Sequence, residues 1–351
     1  MSDVIVIGGG IAGISAAARL SAHASVTLIE GESALGYHAS GRSAALFEEN
    51  YGSATIVSLN RASAAYQQPY LSPRGLLLVA RKGEDAAFDA DVKSLKTTEI
   101  SVDAARSYVP ILNDQITRAA YHVGAQDIDT DRMIQDFAKV LRANGGRIIT
   151  GQSVTRIDLA ENWSVRCGTH TLTAAKLVNA AGAWADQIAD MAGIRPIGVT
   201  PLRRSMARIP APGGQDVTRW PIFFGVGESW YAKPDAGALL VSPADEDPVA
   251  PQDAWADDMV LAEGLDRYAQ HVSEPVTRVE TSWAGLRSFS PDRALVLGPD
   301  PANPNFVWCA GQGGYGFATA PAASQLVADL TLGHTPQLDT ETIKSLSPAR
   351  F

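Results

Sequence analysis

The chain has 351 residues, 46% of them hydrophobic and 19% charged, which supplies a substantial core and excludes disorder. A net charge of −9 argues against nucleic acid or an anionic membrane surface as partner and favours small-molecule chemistry. The two cysteines, Cys167 and Cys309, form neither a disulfide framework nor a metal-ligand spacing, so no metal site is expected and a reducing cytoplasm is the expected location.

Residues 4–7 are an apolar run that leads into Gly8, Gly9, Gly10 and Gly13, and residues 14–20 have a helical Ala/Leu pattern. A second apolar run, 26–29, ends at Glu30. This predicts a strand, phosphate loop, helix and strand: Gly8 makes the tight turn, Gly10 lets backbone approach a pyrophosphate, and Gly13 lets helix pack on strand. The helix N-terminus then points N–H groups and partial positive charge at phosphate. Glu30 stands about 20 residues beyond the loop, where a carboxylate accepts from the two hydroxyls of an unmodified ribose. The cofactor is therefore FAD or NAD rather than NADP. No leader is expected ahead of a loop that starts at residue 8, and no apolar run reaches the ~18 residues of a membrane span.

Further along, residues 133–141 have helical spacing and stop at Asn144-Gly145-Gly146. Residues 147–150, 154 and its neighbours, 163–167 and 171–173 are read as short strands, the last two as a hairpin around Gly168. Residues 177–184 are read as a further strand running into a small-residue turn. Residues 76–80, 205–209, 230–233 and 239–241 have the pattern of antiparallel strands in a second domain, so the two domains are interleaved. The acidic stretches 245–247 and 253–258 are read as solvated loop, because Pro248 and Pro251 interrupt them.

Near the end, residues 306–310 predict a buried strand, and Gly311-Gln312-Gly313-Gly314-Tyr315-Gly316 opens a helical run over 317–330. A second glycine loop feeding a second helix N-terminus suits a large cofactor that is anionic at both ends. FAD meets that description, with its diphosphate on the first loop and the C2 carbonyl and N1 of its isoalloxazine on the second, whose dipole stabilises reduced flavin.

With these features the chain resembles the D-amino acid oxidase-like flavoproteins, which include glycine oxidase, sarcosine oxidase and the D-amino acid dehydrogenases. The matching residues are 8–13 with Glu30, 36–45, 179–184 and the terminal glycine loop. Gly41-Arg42-Ser43-Ala44-Ala45, Leu71-Ser72-Pro73-Arg74, residues 127–131, residues 283–289 and residues 312–316 read like the FAD-dependent D-arginine dehydrogenase branch. The resemblance implies an α/β fold: a Rossmann-like FAD-binding domain of glutathione-reductase type (1–70, 131–199, 285–351), interleaved with an α+β substrate domain built on an antiparallel sheet (71–130, 200–284). It implies non-covalent FAD against Arg42, Ser43, Ala44, Val154, Ala181, Gly182, Gly313, Gly314, Tyr315 and Gly316. It further implies oxidation of a D-amino acid to an imino acid, which water converts to a 2-oxo acid and ammonia, with oxygen or a quinone-like carrier as electron acceptor. A glycine, sarcosine or proline oxidase, or a 2-hydroxy acid dehydrogenase, would use the same fold.

An amino acid substrate needs its carboxylate held while its Cα–H faces flavin N5, and an arginine fork is the natural holder. Arg287, in an apolar run, is the candidate; its alternative is a salt bridge with Asp292. Tyr231 is a candidate second donor or a core tyrosine, and Tyr51 a lid or an exposed loop residue. Arg203 and Arg204 are adjacent, so only one faces the cleft from a strand, and Arg204 is taken as the pocket residue. His38 is read as a cofactor or backbone contact. If hydrogen leaves as hydride from a neutral amine, no base is needed at Cα, and a near-attack geometry supplies most of the catalysis.

Two positions depart from the arginine-specific pattern. Leu76 lies where the branch has a carboxylate, and Leu46 where it has an imidazole, so the pocket is expected to prefer a neutral or apolar D-amino acid. Glu48 and Glu49 are expected to be solvated.

Overall fold

In the computed structural model, which describes residues 2–351, the strand Ser2–Ile7 lies at the centre of an eight-stranded sheet. It runs parallel to Val26–Ile29 on one side and to His170–Asn179 on the other. Arg147–Ile149 extends the sheet beyond Val26–Ile29, while Phe306–Ala310 pairs in parallel with His170–Asn179 and antiparallel with Val296–Pro299. Side chains alternate across this sheet: Val4 and Val6 enter one apolar cluster, Ile5 and Ile7 another. Burial on both faces is why the strand reads as an unbroken apolar run.

The helices Ile11–Leu20, Thr130–Ala143 and Gly316–Leu332 cover the Val4/Val6 face. Ala185–Met191 packs on the other face, and Val154–Leu159 and Trp163–Cys167, the remaining strands of the sheet, continue it antiparallel and add Ile157, Trp163 and Val165 to the Ile5/Ile7 cluster. Here the structure corrects one expectation. The hairpin strand after Gly168 and the strand before the turn at 180–182 are one continuous element, His170–Asn179. Its first half pairs antiparallel with Trp163–Cys167, and most of its length lies parallel to Ser2–Ile7, so Ala174 is paired on both sides.

The second sheet has nine strands. Its longest pair is Thr200–Pro210 with Thr281–Phe289, in register from Thr200↔Phe289 to Arg208↔Thr281. Ala238–Ser242, Tyr231–Asp235, Ile222–Gly225, Leu76–Arg81, Ile116–His122 and Thr98–Ile100 follow across the sheet. Most neighbours are antiparallel, but Leu76–Arg81 runs parallel to Ile222–Gly225, because the long connection between them returns the chain in the same direction. Trp230 and Ala232 face a core beneath the helices Val102–Tyr108 and Asp258–Ala269, whereas Tyr231, Leu76, Leu78 and Met206 share the opposite cluster. A small three-stranded sheet, Leu46–Phe47, Gln126–Ile128 and Leu71–Pro73, lies where the two large sheets meet. Thr281–Phe289 passes through residue 285 without interruption, joining the second sheet to the segment that re-enters the first. Among the described residues no helix is long and apolar enough to cross a membrane, and no group of His, Cys, Asp and Glu is placed to hold a metal.

Candidate active site

Two adjoining cavities lie between the sheets. The first, about 340 Å³, has the first glycine loop, Glu30, His38, Val154, Ala181 and Gly182 in its wall. The second, about 150 Å³, is lined by Ser43, Ala44, Leu46, Arg204, Tyr231, Arg287, Gly313, Gly314 and Gly316. Gly10, Ser40, Arg42, Gly182 and Gly285 belong to both, which makes one elongated site.

The first loop is glycine for the reasons of packing anticipated. Gly8 has φ +107°, and a Cβ there would lie 2.3 Å from the Ala180 carbonyl oxygen. A Cβ on Gly13 would lie 1.9 Å from the carbonyl oxygen of Gly8. Gly10 differs: it has φ −70° and its nearest obstacle would be Ser40 Oγ at 3.2 Å, so its role is to leave room for a ligand. The Glu30 carboxylate accepts from the N–H groups of Gly9 (2.6 Å) and Glu32 (2.8 Å), which holds it at the cleft wall. His38 Nε2 contacts Glu32 Oε1 at 2.9 Å, while its Nδ1 is buried without a partner beside the same cleft. A glycine cradle, a ribose-height carboxylate and two helix N-termini fit a dinucleotide that spans both cavities.

At the second loop Gly313 has φ +50°, and a Cβ on Gly314 would come within 3.0 Å of Arg287 Cζ. The loop therefore backs directly onto the proposed carboxylate holder. Tyr315 takes no part in the cavity wall; it stands at the N-cap position of the helix Gly316–Leu332 and packs on Tyr51 and Phe289. Arg42 lines both cavities, yet its guanidinium is committed to the carbonyls of Ala254 (2.8 Å) and Ala284 (2.9 Å) and to the Asp253 carboxylate. It ties the flavin-side loop to the strand that carries Arg287.

That strand presents Trp283, Gly285 and Arg287 on one face. Arg287 does not pair with Asp292, which is held by Arg350. Instead its Nη1 lies 3.8 Å from Glu228 Oε1. Arg204 points into the site, with Nη1 3.1 Å from Glu228 Oε1 and Nη2 3.2 Å from Glu246 Oε1. Arg203, on the opposite face, pairs with Asp245 and Asp247. Tyr51 donates to Glu228 Oε2 at 2.7 Å. Burial and the neighbouring Glu228 charge push the Tyr51 phenol far above its ordinary pKa, so it remains a neutral donor. Burial opposes the charge on Arg287, but the carboxylates of Glu228 and Glu246 hold it a firm cation. Tyr231 contacts Met206 Sδ at 3.3 Å. Leu76 does not line the cavity; it packs in the cluster behind Leu46, Tyr51 and Tyr231.

Glu228 was not visible in the sequence. It has φ +52° in the short turn Val226–Glu228, and that turn is anchored by Gly227 N–H donating to Asp91 at 2.7 Å. The solvated reading of residues 245–247 holds for Glu246 and Asp247, which are exposed, but not for the buried Asp245 side chain, and all three pair with arginines, Arg203, Arg204 and Arg293. Glu48 is likewise buried, with Oε2 unpartnered and 3.7 Å from His122 Nε2, whereas Glu49 is exposed and pairs with Arg61.

Residues 3–330 match the family described as FAD dependent oxidoreductase, DAO. The chain belongs to this DAO family. It is 24% identical to glycine oxidase of Pseudomonas putida over 96% of each chain, and 24% identical to FAD-dependent oxidoreductase domain-containing protein 1 of Bos taurus over 95% of this chain and 82% of that protein. Its fold is similar to that of glycine oxidase from Geobacillus kaustophilus, with TM-score 0.86, 22% identity, and coverage of 100% of this chain and 99% of the other. L-proline dehydrogenase from P. horikoshii is similar at TM-score 0.84 and 22% identity, over 100% of this chain and 97% of that one. This DAO-family member is thus an FAD-dependent oxidoreductase.

Acid precipitation is expected to release the flavin into the supernatant. Both cysteines are buried, burial pushes the Cys309 thiol up to about 12, and the strand Thr281–Phe289 contains no cysteine. Flavin colour that stays with the pellet would instead show a covalent link.

Proposed function

We propose that this chain oxidises a D-amino acid with a neutral or apolar side chain to the imino acid, which water hydrolyses to a 2-oxo acid and ammonia. One observation carries the reading. Arg287, Arg204 and Tyr51 converge on a single carboxylate, that of Glu228, and this donor set is what an amino acid carboxylate requires. In the reaction FAD, when bound, supplies the hydride acceptor. The substrate carboxylate takes the place of the Glu228 carboxylate, so that Arg287 and Arg204 bind and orient it and Tyr51 turns its one O–H from Glu228 to it, while Tyr231 closes the wall beside Met206. No side chain is required to take a proton from Cα when the amine enters neutral. Leu46 and Met206 give the side-chain region an apolar surface.

The D configuration rests on the resemblance in residues 41–45, 283–289 and 312–316. A second reading, oxidation of glycine or a secondary amine, is supported by relatives named glycine oxidase and dimethylglycine dehydrogenase. The division into residues 1–70, 131–199 and 285–351 for FAD and 71–130 and 200–284 for substrate is part of the proposal, as are a cytoplasmic location and oxygen or a quinone-like carrier as acceptor.

The test is anaerobic flavin bleaching across D-amino acids, L-amino acids, glycine, sarcosine and proline. A buried unpaired cation costs several kcal/mol, while an apolar side chain gains roughly 25 cal/mol per Å². D-amino acids with medium apolar side chains should exceed D-arginine and D-lysine by at least about tenfold in kcat/KM, about 1.4 kcal/mol. L-isomers should be nearly inert. Preference for sarcosine or proline would establish the second reading, and D-arginine as best substrate would direct attention to Glu48 and Glu228.

A further inference from the structure

Lys233 is buried on the strand Tyr231–Asp235, two residues beyond Tyr231 and on the same face, with its side chain 11% exposed. Its ammonium donates to the carbonyls of Ala44 (2.7 Å) and Ala45 (3.1 Å) and is ion-paired with Asp127 Oδ1 at 2.8 Å. The other oxygen of Asp127 accepts from Arg74 Nε at 2.7 Å, and Arg74 Nη1 donates to the carbonyls of Thr218 and Trp220, both at 2.9 Å. One carboxylate therefore joins two cations, of which only Lys233 reaches the flavin-side loop.

We propose that Lys233 is a positioning residue for FAD: it sets the peptide planes after Ala44 and Ala45, and so the wall that Ser43, Ala44, Ala45 and Leu46 present to the cofactor. A trans peptide points its N–H opposite to its carbonyl. With the carbonyls of Ala44 and Ala45 drawn toward Lys233, the N–H groups of Ala45 and Leu46 turn away from it. Ala45 N–H is then taken by Ser43 Oγ at 3.2 Å. Asp127 stands opposite Leu46 in the small sheet, so the ion pair and the strand pairing hold the same short segment from two directions. Burial lowers the pKa of the Lys233 ammonium, and the Asp127 carboxylate opposes that shift. Nothing in this role depends on which amine is oxidised, so it stands apart from the substrate reading.

The test compares Lys233→Met with Arg74→Met in the FAD-loaded protein and in apoprotein titrated with FAD. Both variants remove one cation from Asp127 and should lower Tm. Lys233→Met alone frees the two carbonyls, so the FAD dissociation constant is expected to rise about tenfold, and the visible absorbance envelope of the bound flavin to shift. Arg74→Met should leave both unchanged. Lys233→Gln, which retains a donor for one carbonyl, should fall between wild type and Lys233→Met, and it decides the matter if Lys233→Met does not fold. FAD affinity and spectrum at wild-type values in Lys233→Met, or in Lys233→Gln when it stands in, would reduce Lys233 to a stabilising ion pair and overturn the proposal.

Discussion

Replacing Arg287 with alanine is expected to lower kcat/KM on the best amino acid substrate by at least about a hundredfold while the flavin stays bound. Removing one partner of a buried charged contact costs about 2–5 kcal/mol, and here the loss falls on both binding and orientation. Arg287→Lys keeps the charge but not the planar fork, so it should recover only part of the loss, mostly in KM. The protein should not unfold: Glu228 retains Arg204 and Tyr51 as partners, and the backbone of Arg287 remains paired with Leu202. Steady-state kinetics alongside the visible flavin spectrum would check this. Unchanged kcat/KM in Arg287→Ala would move the carboxylate site to Arg204.

The second large effect separates two glycines of the same loop. In Gly13→Ala the new methyl would meet the Gly8 carbonyl oxygen at 1.9 Å, forcing the helix Ile11–Leu20 off its strand. Overpacking a buried contact of this kind costs about 1–3 kcal/mol, and more where backbone must move. Insoluble or colourless protein with a markedly lowered Tm is expected. In Gly10→Ala the methyl meets only Ser40 Oγ at 3.2 Å on an ordinary backbone, so the apoprotein should keep its Tm. Its FAD affinity should nonetheless fall by at least about tenfold, because the methyl stands where a pyrophosphate approaches the chain. Equal behaviour of the two variants in apoprotein melting and FAD titration would refute the distinction.

The parts of this protein that were legible in the sequence are those where backbone geometry dictates residue type. Gly8 and Gly13 are glycine because no side chain fits, Glu30 stands at a spacing set by one strand–helix–strand unit, and residues 311–316 repeat the same logic. Arg287 was legible as a charged residue in an apolar strand. Glu228 was not, because a glutamate in a turn acquires its meaning only when Tyr51, Arg204 and Arg287 are brought to it from distant elements. The partners of the acidic residues 245–247 were not legible for the same reason: Arg203 and Arg204 lie about 40 positions away in sequence and adjacent only across the sheet. Glu48 was read as solvated because loop glutamates usually are, yet it is buried while Glu49 beside it is exposed. The joining of residues 170–179 into one strand depended on partners on both flanks, which periodicity does not report.

The strand Thr281–Phe289 has a consequence of its own. Gly285, in the wall of both cavities, and Arg287, the proposed carboxylate holder, are two residues apart on one strand clamped along its whole length by Thr200–Pro210. Their separation is one pleat repeat, about 7 Å, and it works as a ruler between the cofactor and the anchored end of the substrate. Hinge motion between the two sheets would carry both marks together and leave the reading unchanged. On the proposed substrate geometry, entry and exit would then fall to the turns around Tyr51 and Glu228, which lie off that strand.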